Sequence, residues 1–198
     1  MRIVDIIISL LMLVFLSPLL MLLAVSIVLI DGGPVVFRQQ RIGRLGKPFT
    51  MYKFRTMPAS AQKNADYSFT AKWNGRVPDN FIFKSSGAAP LTRTGVIMRR
   101  LSLDELPQLV NVLKGDMSLV GPRPEIPEIA RHYSDEQRRR LATRPGITGL
   151  AQISGRAELT HGEKIRHDLD YVDRKSAALD FSILFATLLH VLHGRGAY

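Results

Sequence analysis

Residues 99–125 read RRLSLDELPQLVNVLKGDMSLVGPRPE, and the organisation of the chain is read outward from them. Leu103, Leu106, Val110 and Leu113 step by three and four, the spacing of a helix face that meets a core. Ser102 with Glu105 three residues later has the form of a capping box, which starts a helix there and puts Asp104 and Glu105 in its first turn. The positive end of a helix favours an ionised carboxylate, so Asp104 is expected to be charged. Pro107 conflicts with that register, because a proline past the first turn removes a backbone hydrogen bond. The helix is therefore bent at Pro107 or begins later. Gly115 ends it. In Gly121-Pro122-Arg123-Pro124 two prolines fix the backbone around Arg123, whose planar fork then suits a phosphate or a nucleotide.

The pattern alone leaves two readings of the acidic pair. In one, Glu105 caps the helix and Asp104 compensates its dipole. In the other, Asp104 is a nucleophile or metal ligand and Glu105 its acid/base partner. The stretch SLDELPQLVNVLKGDMSLVGPRPE resembles, without a gap, the signature of the monotopic bacterial phosphoglycosyl transferases, the bacterial sugar transferase family. That resemblance favours the second reading. It implies transfer of a sugar-1-phosphate from a UDP-sugar to undecaprenyl phosphate in two displacements. Asp104 attacks the sugar-bearing phosphate and releases UMP, and the lipid phosphate then attacks the aspartyl phosphosugar.

The same resemblance implies Mg²⁺ held by Asp104 and substrate oxygens, with Glu105 handling the acceptor's proton or helping to hold the metal. MYKFRTM, residues 51–57, matches a family element whose lysine maps onto Lys53. Arg99, five residues before Asp104, matches a family arginine beside the dyad. Residues 143–152, TRPGITGLAQ, resemble the family's RPGITGWAQ element with Leu150 where tryptophan is usual, and make Arg144 and Arg156 candidate phosphate contacts. A second departure is Ala88-Ala89-Pro90, where relatives often carry an Asp-x-Arg element before the Thr-x-x-Gly matched by Thr92 and Gly95. The family's role is the first membrane step of a glycan or exopolysaccharide pathway, on the cytoplasmic face of the bacterial inner membrane. The sugar expected is an N-acetylated or deoxy-amino hexose, with glucose or galactose next, and the chain looks like the minimal catalytic form.

Composition agrees with a phosphate-handling, membrane-associated protein. The 198 residues hold 27 Lys and Arg against 17 Asp and Glu, a net charge of +10 that suits anionic lipid, a phosphorylated substrate or nucleic acid. No nucleic-acid-binding module or internal repeat is recognisable, so no nucleic-acid partner is expected. There is no cysteine, so disulfides contribute nothing.

From Ile6 to Ile30 run 25 uncharged residues, about 37 Å of helix and enough to cross a bilayer. The run is too long for an ordinary signal-peptide core. Pro18 breaks it near the middle, and the Ser17 hydroxyl is placed to satisfy the carbonyl that the proline frees. Arg2 precedes the run and six cations follow it before residue 56, so both flanks favour the cytoplasm. Ser17-Pro18 also matches the family's Ser-Pro re-entrant helix, which dips into one leaflet and returns. Residues 1–31 are accordingly expected to form a re-entrant membrane helix and 32–198 a membrane-associated catalytic domain, with 57–92 a variable excursion or lid.

The fold class expected is α+β, mostly helical, with a small β-hairpin and amphipathic interface helices. Residues 35–39 and 49–55 read as the two strands. Alternation puts Met51, Lys53 and Arg55 on one face, with a charged edge facing lipid as the bland alternative. A helix is expected over 127–141, with Arg138, Arg139 and Arg140 as a solvated or headgroup surface. Another is expected over 162–174, with Ile165, Leu169 and Val172 facing the core. Residues 181–192 are apolar on most sides and suit the membrane interface. His132, His161, His167, His190 and His193 lack metal-ligand spacing and read as structural.

Two rivals make poorer use of the residues. An aspartyl-phosphate phosphatase needs a second aspartate two residues after the nucleophile, where this chain has Leu106. A membrane-anchored basic adaptor for nucleic acid or lipid accounts for the charge but gives no reason for SLDEL or GPRP.

Overall fold

The uncharged amino-terminal run folds as a bent pair. In the computed structural model, which describes residues 2–58, 70, 72–73, 75–82, 90–155 and 158–193, helix α1 (Arg2–Phe15) meets α2 (Ser17–Ser26) and its π-helical end (Ile27–Asp31) at 60°. Pro18 has no N–H for the Val14 carbonyl, and the Ser17 hydroxyl donates to that oxygen at 2.8 Å, as the Ser-Pro pair predicts. No single described helix is long and apolar enough to cross a membrane. Both ends of the pair are tied to the same body. Arg2 donates to the carbonyls of Val112 and Leu113 at 2.6 and 3.0 Å, and buried Asp5 accepts from the Ser118 hydroxyl at 2.6 Å. At the far end Ile27 is fully buried against Phe54 and Met98, and the Thr94 hydroxyl donates to Asp31. Between these anchors Leu10, Leu11, Phe15, Met21 and Leu22 are exposed.

Strands β1 (Val36–Ile42) and β2 (Pro48–Phe54) form an antiparallel hairpin, close to the expected spans. Phe49 and Met51 enter the core, and Lys53 shares their face by the strand's period of two. Helix α3 (Arg93–Arg100) starts at Thr92, whose hydroxyl accepts from the Gly95 N–H at 3.1 Å. A Cβ on Gly95 would stand 2.4 Å from the Thr56 carbonyl oxygen, so only glycine lets this helix lie against the end of β2.

The stretch 101–115 departs from its expected register. Ser102 adopts a left-handed conformation (φ 54°) and makes no cap, Leu103–Glu105 form one 3-10 turn, and helix α4 runs only from Gln108 to Lys114. The reason is Pro107, which the α-helical ladder cannot accommodate past its first turn but which fits just ahead of a new helix. The buried face is consequently Gln108, Leu109, Asn111 and Val112, while Val110 is exposed. Gly115 ends α4 at φ 92°, as expected.

Beyond Gly115, β3 (Ser118–Val120) pairs in parallel with β4 (Gly146–Thr148), between which lie two one-turn helices, α5 (Pro127–Ala130) and α6 (Asp135–Arg138). The single helix expected over 127–141 is thus broken, because Ser134 and Gln137 form a capping box that begins a new turn. Helices α7 (Leu150–Ser154), α8 (His161–Arg174) and α9 (Ala177–Leu192) complete the fold, α8 starting on a Thr160–Glu163 capping box.

One apolar cluster joins β2, α4, β3, Tyr171 and Ile183; a second gathers Val77, Ile126, Ile129, Tyr133 and Ile165. Leu150 packs against the first cluster. Within the expected excursion, Val77 is held on both its N–H and carbonyl by Gln137, and the carbonyls of Asp79 and Phe81 accept from Gly162 and His161. Residues 59–69, 71, 74 and 83–89 of that stretch lie outside the described residues. Helix α9 buries Ile183 and leaves Phe181, Phe185, Leu188 and Leu192 exposed.

Candidate active site

The acidic pair sits where three elements converge: the 3-10 turn after α3, the face of β2, and the loop after β3. Asp104 is buried, and among the described residues its carboxylate accepts no hydrogen bond. Glu105 is the opposite case, with Oε1 accepting from Lys53 Nζ at 2.7 Å and from Arg123 Nη2 at 2.9 Å. The capping role open to Glu105 in the sequence is therefore not taken, because two cations from β2 and the GPRP loop occupy it instead.

The two carboxyls are driven apart in charge. Burial raises the pKa of Glu105, but the Arg123 guanidinium and Lys53 ammonium beside it prevail and hold the carboxyl well below the usual range. For Asp104 burial prevails and lifts the pKa; Lys53 pulls it down, Glu105 adds to the rise, and Arg99 and Arg123 oppose it. The expectation of a helix dipole ionising Asp104 fails with the helix start on which it rested. Lys53 is itself lowered by burial, a shift that Glu105 opposes.

Asn111 places β2 against the dyad, a role that no motif announced. Its side chain accepts from the Tyr52 N–H at 3.0 Å and donates to the Thr50 carbonyl at 2.7 Å, two backbone groups on the edge of β2 away from β1. One amide thus replaces a neighbouring strand and fixes Lys53 over the turn. The sequence signal was an asparagine in an otherwise apolar helix.

Arg140 does the corresponding work for Arg123. It is buried rather than solvated, correcting the reading of the Arg138–Arg140 run as surface. It pairs with Asp168 of α8 at 2.6 Å and donates to the Arg123 carbonyl at 2.8 Å. Arg139 pairs with Asp173 at 2.8 Å. Arg55 is also buried, donating to the Asp31 and Gly32 carbonyls, so neither it nor Lys53 forms a lipid-facing edge.

The structure thus brings Asp104, Glu105, Lys53 and Arg123 together, with Arg99 close enough to act on the Asp104 charge. Arg99 itself donates to the Thr56 hydroxyl at 3.2 Å. Arg144 is not joined to them by any hydrogen bond. Its Nε donates to the Gly115 carbonyl at 3.0 Å, at the far end of α4. Arg156 lies outside the described residues.

Among the described residues no three His, Asp or Glu side chains form a ready metal site. What the site offers a hard cation is the Asp104 carboxylate, which accepts no hydrogen bond among the described residues. Two of the histidines take structural places: His161 is buried against Tyr133 and Phe81, and His132 meets the edge of Trp73.

Comparison with known proteins shows the family of the chain. The family model for bacterial sugar transferases matches residues 1–194. The chain belongs to the bacterial sugar transferase family. It is 40% identical over 197 residues to the undecaprenyl-phosphate galactose phosphotransferase of Salmonella typhimurium, covering 100% of this chain and 41% of that protein. It is 45% identical over 165 residues to the uncharacterized sugar transferase EpsL of Bacillus subtilis, covering 83% of this chain and 73% of EpsL. The UDP-glucose:undecaprenyl-phosphate glucose-1-phosphate transferase of Xanthomonas campestris is 38% identical over 202 residues, covering 98% of this chain and 39% of its own. The chain thus spans about two fifths of the length of the first and third of these relatives.

Proposed function

We propose that this bacterial sugar transferase moves a hexose-1-phosphate from a UDP-sugar to undecaprenyl phosphate at the cytoplasmic face of the membrane. The observation that carries the reading is the division of labour in the acidic pair: Glu105 is held by two cations, while Asp104 is buried and accepts no hydrogen bond among the described residues. An Asp104 carboxylate oxygen attacks the β-phosphorus of the donor, and the bond from that phosphorus to the bridging oxygen breaks. UMP leaves with the electron pair and the phosphosugar stays on Asp104 as an acyl phosphate. A phosphate oxygen of undecaprenyl phosphate then attacks the same phosphorus, the acyl-phosphate bond breaks, and Asp104 returns as a carboxylate.

Lys53 and Arg123, both held by Glu105, act on the charge of the reacting carboxylate and neutralise diphosphate charge. Arg99 stands ready for the acceptor phosphate or the donor, and the reading leaves Arg144 and Arg156 to contacts more distant from the phosphorus. Asp104 and the donor's diphosphate oxygens would hold Mg²⁺, which would supply further charge neutralisation there. The bent pair is read as a re-entrant hairpin, supported by the anchoring of both its ends on one body. A site at the root of such a hairpin meets a polyprenyl phosphate at headgroup level.

The test uses the full chain in lipid nanodiscs with undecaprenyl phosphate and a panel of nucleotide sugars. UDP-galactose and UDP-glucose, the hexoses named for two relatives, lead it, followed by N-acetylated and deoxy-amino hexoses. UMP release with one donor and a phosphosugar adduct by intact mass are expected. Asp104→Asn, nearly isosteric, should fold normally, give no adduct and lose turnover by at least about 10⁴-fold, the scale of a lost covalent nucleophile. Turnover in Asp104→Asn, or ternary-complex kinetics with no adduct in the wild type, would remove the covalent step.

A further inference from the structure

A cavity of about 180 Å³ lies away from the acidic pair and contains none of its residues. Its lining includes Arg2, Arg44, Arg144 and Lys175, drawn from the start of α1, the β1–β2 turn, the segment before β4 and the link between α8 and α9. Four cations from four separate segments meet there. Asp5 is the one carboxylate in the lining, and it is already engaged by the Ser118 hydroxyl at 2.6 Å and the Leu119 N–H at 3.4 Å.

None of the four cations has a carboxylate within ion-pair distance among the described residues, in contrast to Lys53, Arg123, Arg139 and Arg140. Their hydrogen bonds go to backbone carbonyls, and those bonds position them without neutralising them. Arg44 and Arg144 each spend only Nε, on the carbonyls of Ala142 and Gly115 at 3.1 and 3.0 Å. The Nη groups of both, a pair of planar forks, donate to no described residue. Lys175 lies over the Tyr171 ring at 5.8 Å and makes no hydrogen bond to any described residue. The Thr143 hydroxyl, also in the lining, is buried without a partner. Four cations against the single Asp5 carboxylate leave this small space with an excess of positive charge that a further anion would offset, and paired guanidinium forks match tetrahedral phosphate oxygens.

The cavity's position suggests the source of the phosphate. Arg2 is the first residue of α1, and Lys175 stands two residues before α9. Both helices turn exposed apolar side chains outward, so the cavity sits where they leave the polar body. We infer that this cavity is a binding site for a phosphate group, taken from the headgroup of an anionic phospholipid that seats the catalytic body on the membrane. The choice of lipid over free phosphate rests on the re-entrant reading above; the existence of the anion site does not.

Binding is tested by flotation of the full chain on vesicles of phosphatidylcholine alone or mixed with phosphatidylglycerol. Diffuse charge also favours anionic vesicles, so Arg44→Gln/Lys175→Gln is compared with Arg131→Gln/Arg166→Gln, which removes two exposed cations outside the cavity. The cavity variant should lose preference for the anionic vesicles by at least about tenfold more than the control, the scale of one charge-assisted hydrogen bond. It should still float with phosphatidylcholine, because its apolar helices are intact. A second arm melts the detergent-solubilised chain in inorganic phosphate against chloride at equal ionic strength. Stabilisation by phosphate that the cavity variant lacks, with vesicle preference unchanged, upholds the anion site and assigns it to free phosphate. Equal losses in both double variants together with no stabilisation by phosphate overturn the inference. Failure of the wild type to float with phosphatidylcholine counts against the re-entrant reading and leaves the phosphate arm to decide the cavity.

Discussion

Asp104 and Glu105 are adjacent in sequence and opposite in circumstance. Neither burial nor charge alone separates them; the separation comes from which carboxylate the cations reach. Arg123 reaches Glu105 with one guanidinium nitrogen at 2.9 Å, and its remaining donors are available to a diphosphate. Arg123→Lys keeps the charge but loses the fork, so KM for the nucleotide sugar should rise about tenfold with a smaller change in kcat. Unchanged kinetics would take Arg123 out of the site. His161 supplies a prediction of another kind. Burial lowers its pKa from 6.5 to about 4, against the pull of Glu125. The unfolded chain therefore takes up a proton near pH 6.5 that the folded chain refuses until about pH 4. Above that window the histidine is neutral in both states and costs nothing. As pH falls through it, stability should be lost by up to roughly 3 kcal/mol. Denaturant titrations between pH 7 and 4 measure that slope, and His161→Phe should flatten it.

At the scale of elements, the geometry of the candidate site depends on a helix docking against a strand edge. Asn111 supplies the acceptor and donor that Tyr52 and Thr50 lack on the outer edge of β2. Asn111→Leu keeps the branched shape but strands both backbone groups in a buried place, at a cost of about 3 kcal/mol. For a chain of this size that is a fall in Tm of roughly 10 °C, readable by thermal melting in detergent. A melt within about 2 °C of wild type would mean that water takes over both bonds. The short 3-10 turn carrying the dyad has the same dependence on its surroundings. Ser102 holds a left-handed conformation that serine adopts at a cost of about 1 kcal/mol or more, so packing on either side must impose it.

For the whole molecule, the decisive feature is that the bent apolar pair leaves and returns to one body. Arg2 and Asp5 fasten its start to α4 and β3, while Ile27 and Asp31 fasten its end to β2 and α3. A span would carry one of those ends to the other side of the membrane and break its set of contacts. In this cysteine-free chain, Ile3→Cys and Val35→Cys should therefore both react with an impermeant maleimide only from the cytoplasmic side. Labelling of position 3 from the periplasm would replace the hairpin by a plain span.

The sequence alone determined what local chemistry controls. The Ser17-Pro18 bend, the hairpin, the stop at Gly115 and the start of α8 follow from dihedral limits and hydrogen-bonding groups that neighbouring residues supply. The family resemblance likewise singled out Asp104, Glu105, Lys53 and Arg123, four residues that the fold brings together, because a motif is itself a local pattern. Tertiary structure decided the rest. Glu105 had an equally good local use as a cap, and only the approach of β2 and the GPRP loop, 52 and 18 residues distant, brought it two cations instead. Arg140 was indistinguishable from its two neighbours until Asp168, 28 residues away, drew it under Arg123. Burial and charge pairing are set by partners remote in the chain, and a side chain carries no mark of the partner it will meet.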